Sequence, residues 1–123
     1  SGDPTGFERS MLFRSGDWTS GTGGFFDSGY QNEFWGNISW QEQIDFPADQ
    51  SVEVKIRVSN DSNFTGVEYM NSAVWNALST YNNSRRGRYL GVIVIIKSNE
   101  LGNSPVVWDM QVNCDPGFIN PIN

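Results

Sequence analysis

The segment from Arg88 to Lys97 constrains the fold of this chain more than any other. Its centre reads Val92-Ile93-Val94-Ile95-Ile96, so β-branched residues fill both alternating sets of positions. Side chains of a strand alternate between two faces, and this pattern predicts a central strand whose faces are both dry. A polar turn over 98–104 follows, then a second strand over Val106–Val112. Together they predict an all-β fold and raise the question of what covers the outer face of the first strand.

The rest of the chain agrees with an all-β reading. Ser51–Ser59 is the cleanest amphipathic strand: Val52, Val54, Ile56 and Val58 point one way, Glu53, Lys55 and Arg57 the other. Phe7–Phe13, Phe25–Tyr30 and Phe34–Gln43 read as further strands, with Gly36, Ile38 and Trp40 on one side of the last. Gly16–Gly24 is a glycine-rich loop, and Asp45-Phe46-Pro47-Ala48-Asp49 a turn built on Pro47. Ala73–Leu78 suits a short helical turn capped by Asn71 or Ser72. Residues 1–6 and 115–123 read as flexible or linker-like ends of a single domain, and Ser1-Gly2-Asp3-Pro4 as a processed or excised terminus. Many short strands with polar connections and no repeated helices predict an antiparallel β-sandwich or jelly roll.

Composition narrows the partners. The chain carries a net charge of −6, and seven acidic side chains with no basic one lie between Ser15 and Val54. Such a surface repels phosphate, which argues against nucleic acid and anionic membrane as partners. No apolar run reaches membrane-spanning length. The absence of histidine excludes Ser-His-Asp, Cys-His and HExxH chemistry. Cys114 is the single cysteine, so no intrachain disulfide forms, and the thiol reads as buried and inert.

An ordered series of segments carries a resemblance. It runs from Gly24-Phe25-Phe26-Asp27-Ser28-Gly29 through Phe34–Trp40 and Phe46–Ser59 to Trp75, Gly87-Arg88-Tyr89-Leu90 and Ser104-Pro105-Val106-Val107. This series resembles jelly-roll β-sandwich accessory modules with a galactose-binding-like fold, found in bacterial extracellular and phage structural proteins. The resemblance implies a non-catalytic appendage of an extracellular or virion assembly. It would bind carbohydrate or pack against neighbouring domains or subunits. It also implies a packing role for Trp75, and a structural calcium, a cation that takes oxygen ligands such as Asp17, Asp27, Asp45 and Asp49. One departure matters. Where similar modules place polar or long side chains, this chain has Ile93 and Ile95, and Gly91 replaces a bulkier residue. The departure predicts that another sheet, a chain segment or a subunit covers both isoleucines.

Several residues are candidates for recognition. An indole or phenol face stacks on the apolar C–H face of a sugar while polar side chains fix its hydroxyls. Asp17, Trp18, Tyr69, Tyr81 and Asn82 supply that chemistry, unless Trp18 folds back as a lid over a sheet edge. Arg85, Arg86 and Arg88 form a basic cluster able to meet an acidic neighbour, the alternative being a solvated loop. With Ile93 and Ile95, Arg85 and Arg86 make up the candidate protein-interaction set. Carboxylate pairs such as Asp45 with Asp49, or Glu33 with Glu42, are the only route left to a small glycoside hydrolase, against the simpler reading as solvated surface groups. Asn37, Asn60, Asn63 and Asn82 head Asn-x-Ser/Thr sequons.

Overall fold

The computed structural model describes residues 9–13 and 24–115. They form seven strands: β1 (Arg9–Phe13), β2 (Gly24–Asp27), β3 (Phe34–Gln43), β4 (Ser51–Ser59), β5 (Met70–Asn71), β6 (Tyr89–Lys97) and β7 (Val106–Asp115). A short helix, α1 (Ser72–Ala77), and a 3₁₀ turn at Asn83–Arg85 lie between β5 and β6. Two antiparallel sheets result, ordered β1-β7-β3 and β2-β6-β4-β5.

The expected central strand is β6, flanked by β2 and β4. It pairs with β4 along its whole length, from Ser51 opposite Lys97 to Ser59 opposite Tyr89. This register places Val54, Ile56 and Val58 beside Val94, Val92 and Leu90, all buried. They join Trp35 and Ile38 of β3 and Val107, Met110, Val112 and Cys114 of β7 in one core. Each fully buried Val, Leu or Ile contributes about 1.5–3 kcal/mol of transfer free energy, so a one-residue slip of β6 would forfeit the whole inner row.

Strand β3 departs from simple alternation. Trp35 pairs with Cys114 and Ile38 with Val112, so β3 carries an extra residue there; Ser39 pairs with Gln111 and Gln41 with Trp108, so β7 carries one in return. The second bulge holds Asp109 at φ 53°, and the two restore the original register. Because of the first bulge, Trp35 and Ile38 both reach the core although three residues apart. That corrects the even spacing of Gly36, Ile38 and Trp40; Trp40 is half-buried against the core margin.

β3 is an edge strand, and α1 covers part of that edge. The Asn76 side chain accepts from the Ile38 N–H at 2.8 Å and donates to the Ile38 carbonyl at 2.9 Å, as a neighbouring strand would. Trp75 is buried and donates its indole N–H to the Gly36 carbonyl. Asn71 caps α1 by accepting from the Ala73 N–H. Strand β7 runs beyond the expected Val112 to Asp115 because it pairs on both sides, with β1 and with β3. Cys114 lies in that strand and is buried in the core, as expected for its thiol.

Candidate functional site

The outer face of the four-stranded sheet is built by Phe25 and Asp27 of β2, Tyr89, Gly91, Ile93 and Ile95 of β6, and Glu53, Lys55 and Arg57 of β4. Half of it is covered from within the chain. Residues 60–69 leave β4 through a tight turn in which the Asp61 carboxylate accepts from the Asn63 and Thr65 N–H groups. Those hydrogen bonds, the Asn63 one foremost, hold the Asp61 carboxyl below the usual carboxylate range. The turn sets Phe64 at φ 53° and buries its ring, 5% exposed, over the sheet. Phe64 meets Phe25 edge-on at 6.2 Å, and Phe25 meets Tyr89 at 5.4 Å. The Arg57 guanidinium lies between the Phe64 and Tyr69 rings, 4.3 and 4.2 Å from their centroids, and donates to the Val67 carbonyl. Gly91 lies directly beneath this cover: a Cβ there would be in ordinary contact with Phe64 Cζ at 3.4 Å and the Tyr69 hydroxyl at 3.5 Å, which leaves little room for a longer side chain.

The cover stops short of the other half. Ile93 is half-buried and Ile95 is 38% exposed; Phe25, 51% exposed, lies opposite Gly91 on the covered half. The expectation of two dry faces therefore holds around Gly91 and not at Ile95. Lys55 lies opposite Ile93 and Glu53 opposite Ile95, and Lys97 ends the row. Lys55 reaches Glu53 only at 4.0 Å, and Lys97 has no ion pair among the described residues. At the other end of the face, Arg88 forms a two-pronged pair with Asp27, at 2.6 and 2.8 Å. That pair lowers the Asp27 carboxyl pKa and raises that of Arg88.

The basic cluster does not survive as one surface. Arg85 is 2% exposed, which corrects its assignment to an intermolecular contact. Its Nη2 donates to the carbonyls of Trp75 and Leu78 at the end of α1 and to Asn37 Oδ1, so it closes the helix C-terminus from inside. Burial pushes its pKa down. Arg86 is exposed, lies 5.1 Å from the Phe34 ring and reaches the Asn32 carbonyl. The acidic stretch shrinks as well, since Glu33 is fully buried and Asp27 is paired.

The candidate sugar-binding residues do not form one platform. Asp17 and Trp18 lie outside the described residues. Tyr69 is half-buried on Arg57. Tyr81, 47% exposed, meets Phe34 edge-on at 5.1 Å and lines a shallow cleft with Phe34, Gly36, Thr80 and Asn113. Asn82 caps the 3₁₀ turn by accepting from the Ser84 N–H. A larger groove of about 340 Å³ runs between Val67–Met70 and Asn83–Ser84 over Trp75. No three acidic or cysteine side chains converge as metal ligands among the described residues. No helix among them is long and apolar enough to cross a membrane. Of the sequon asparagines, Asn37, Asn60 and Asn82 use their side-chain oxygens internally, whereas Asn63 is exposed on its turn.

Phe25 and Phe64 were missed as parts of this surface. Phe64, lone in a polar stretch, was the signal that the turn folds back on the sheet, and Gly91 marked the place. Comparison with protein-family models, curated proteins and solved structures finds no match to this chain. The class that the fold defines is accordingly an all-β protein of two antiparallel sheets sharing one core.

Proposed function

We propose that this chain is a non-catalytic structural or recognition module of the jelly-roll, galactose-binding-like type, working in an extracellular or virion assembly. It presents the Ile93–Ile95 half of its outer sheet face to a neighbouring domain or subunit. The observation that carries this reading is the incomplete cover. The chain spends a turn, two aromatic rings and an arginine on drying half of the face, leaves the outer side of Phe25 exposed at its margin, and leaves Ile95 exposed beyond it. Apolar side chains left exposed on a sheet face are candidates for an interaction site. The absence of histidine supports the non-catalytic part of the reading. Hydroxyl-radical footprinting tests it: Phe25 and Ile95 should be protected in the intact assembly relative to the isolated chain. Equal labelling in both would sink the reading.

A second reading, carbohydrate binding, is favoured by the exposed Tyr81 ring beside Asn82 and Arg86. Titration of neutral and acidic oligosaccharides, followed by intrinsic fluorescence in the native chain and in Tyr81→Ala, decides it. Saturable binding lost in the variant supports it, and an unchanged signal rejects it.

A further inference from the structure

Resting on the outer face as an interaction surface, we propose that its occupant is a second copy of this chain, which seats its own Asp45–Asp49 turn on the Ile93–Ile95 strip. Charge places the partner in a narrow class. The only two lysines in the sequence, Lys55 and Lys97, both stand on this face of a chain whose net charge is −6. Glu53 stands between them, opposite Ile95 and 4.0 Å from Lys55, so two ammonium groups face one carboxylate and the strip keeps a positive excess on an acidic protein. With its apolar side chains it calls for a partner with carboxylates around an apolar side chain.

The chain carries that complement itself. In the Asp45–Asp49 turn, Phe46 is 46% exposed, and Asp45 and Asp49 are exposed on either side of it. The turn is preorganised. The buried Gln50 accepts from the Asp45 and Phe46 N–H groups through Oε1, and the Asp49 and Gln50 N–H groups donate to the Phe46 carbonyl. Gln50 also donates to the Asn103 carbonyl at 2.7 Å, which ties the turn to the β6–β7 connection. Little conformational entropy remains to be lost when such a knob docks. Among the described residues the Asp49 carboxylate makes no ion pair and the Asp45 carboxylate accepts only from Gln43.

Knob and strip adjoin. The turn leads directly into Ser51, which pairs with Lys97 at the end of the strip. Where a patch and its complement share one surface, a two-fold axis satisfies both contacts at once: residue i of one copy meets j of the other, and j meets i. Phe46 would lie on Ile93 and Ile95, with Asp45 and Asp49 facing Lys55 and Lys97 in both directions.

Charge reversal provides the test, read by sedimentation velocity over a concentration series near physiological salt. The wild-type chain should dimerise. Lys55→Glu/Lys97→Glu and Asp45→Lys/Asp49→Lys should each self-associate about tenfold more weakly or worse, since every contact becomes like against like. An equimolar mixture of the two should recover wild-type association, because each contact again joins opposite charges. Ile95→Lys should abolish dimerisation while retaining the wild-type circular dichroism spectrum. Zero-length carbodiimide coupling on a mixture of ¹⁵N-labelled and unlabelled chains should link Lys55 or Lys97 of one isotope to Asp45 or Asp49 of the other. A wild-type chain that stays monomeric to about 1 mM overturns the proposal, as does a dimer indifferent to both reversals. Protection of Ile95 in the intact assembly, combined with a monomeric isolated chain, would leave the outer face an interaction surface and reject only the second copy.

Discussion

Phe64→Ala should cost this protein about 3 kcal/mol, an effect large for a residue in a polar surface turn. The ring is 5% exposed and lies over Gly91, edge-on to Phe25 and against one side of the Arg57 guanidinium. Truncating a core phenylalanine costs about 3–5 kcal/mol. Phe64 belongs at the lower end of that range because its neighbours Phe25 and Tyr89 keep part of their surface in water. A second contribution separates cleanly. At φ 53° Phe64 occupies the left-handed region, which penalises any side chain with a Cβ by roughly 1–2 kcal/mol. Alanine keeps that penalty and glycine removes it, less what glycine loses in the flexible unfolded chain. Phe64→Gly should therefore be more stable than Phe64→Ala by about 1 kcal/mol. Urea unfolding followed by tryptophan fluorescence measures both, with unchanged m-values confirming a comparable unfolded state. A loss below about 1 kcal/mol for Phe64→Ala would refute the claim that this ring is a core element of the outer face. A glycine variant less stable than the alanine one would refute the strain argument on its own.

Glycines 87 and 91 make a paired test. A Cβ at Gly87 would fall 2.6 Å from Val58 Cγ1 and 2.7 Å from the Ser59 backbone, so Gly87→Ala should destabilise by about 2–3 kcal/mol or more. Gly91→Ala meets only ordinary contacts and should cost under about 1 kcal/mol in the same assay. Asn76→Ala strands both backbone groups of Ile38 on the β3 edge and should cost about 1–3 kcal/mol, with faster hydrogen exchange at Ile38. Arg85→Ala removes the single nitrogen, Nη2, that serves the Trp75 and Leu78 carbonyls and Asn37 Oδ1, and should cost about 1–3 kcal/mol or more by urea unfolding. Acid should weaken the outer face specifically. The Asp27 and Asp61 carboxyls are held below their ordinary pKa, Asp27 chiefly by Arg88 and Asp61 chiefly by the Asn63 N–H. The unfolded chain then binds more protons in that range. Their contribution is full above the ordinary carboxylate pKa of about 3.9 and falls away as pH drops through the lower native values. Melting curves from neutral pH to acid should show a smaller acid loss in Asp27→Asn than in the wild type.

What was legible in the sequence was the part set by periodicity. β4 and the inner row of β6 lie where alternation puts them, because burial of one face fixes register. The α1 cap at Asn71 was readable from residue type alone. What escaped depends on contacts between distant segments. The paired bulges of β3 and β7 keep register only through each other, so neither strand shows the irregularity by itself. Arg85 reads as surface charge beside Arg86 and Arg88, yet only the packing of α1 against β3 creates the carbonyl-lined space that takes it in. Likewise the acidic stretch from Ser15 to Val54 treats Glu33 and Asp27 as free charges, whereas the fold buries one and pairs the other.

The outer face of β6 shows why composition along a strand is not enough to say what covers it. The same strand carries three answers on one side. At Tyr89 the neighbours are Phe25 and the Asp27–Arg88 pair, a local solution built on β2. At Gly91 the side chain is missing and a returning loop supplies Phe64 and Tyr69 in its place. At Ile93 and Ile95 the strand supplies the apolar groups and the described chain supplies no further cover. Had the isoleucines served only the fold, the loop that dries Gly91 would dry them too, and polar residues would cost less at the uncovered end. Two lysines flank that end on a chain otherwise short of basic surface. Exposed apolar side chains lower solubility and add nothing to the core, which is why their place in the fold supports the proposed contact outside it.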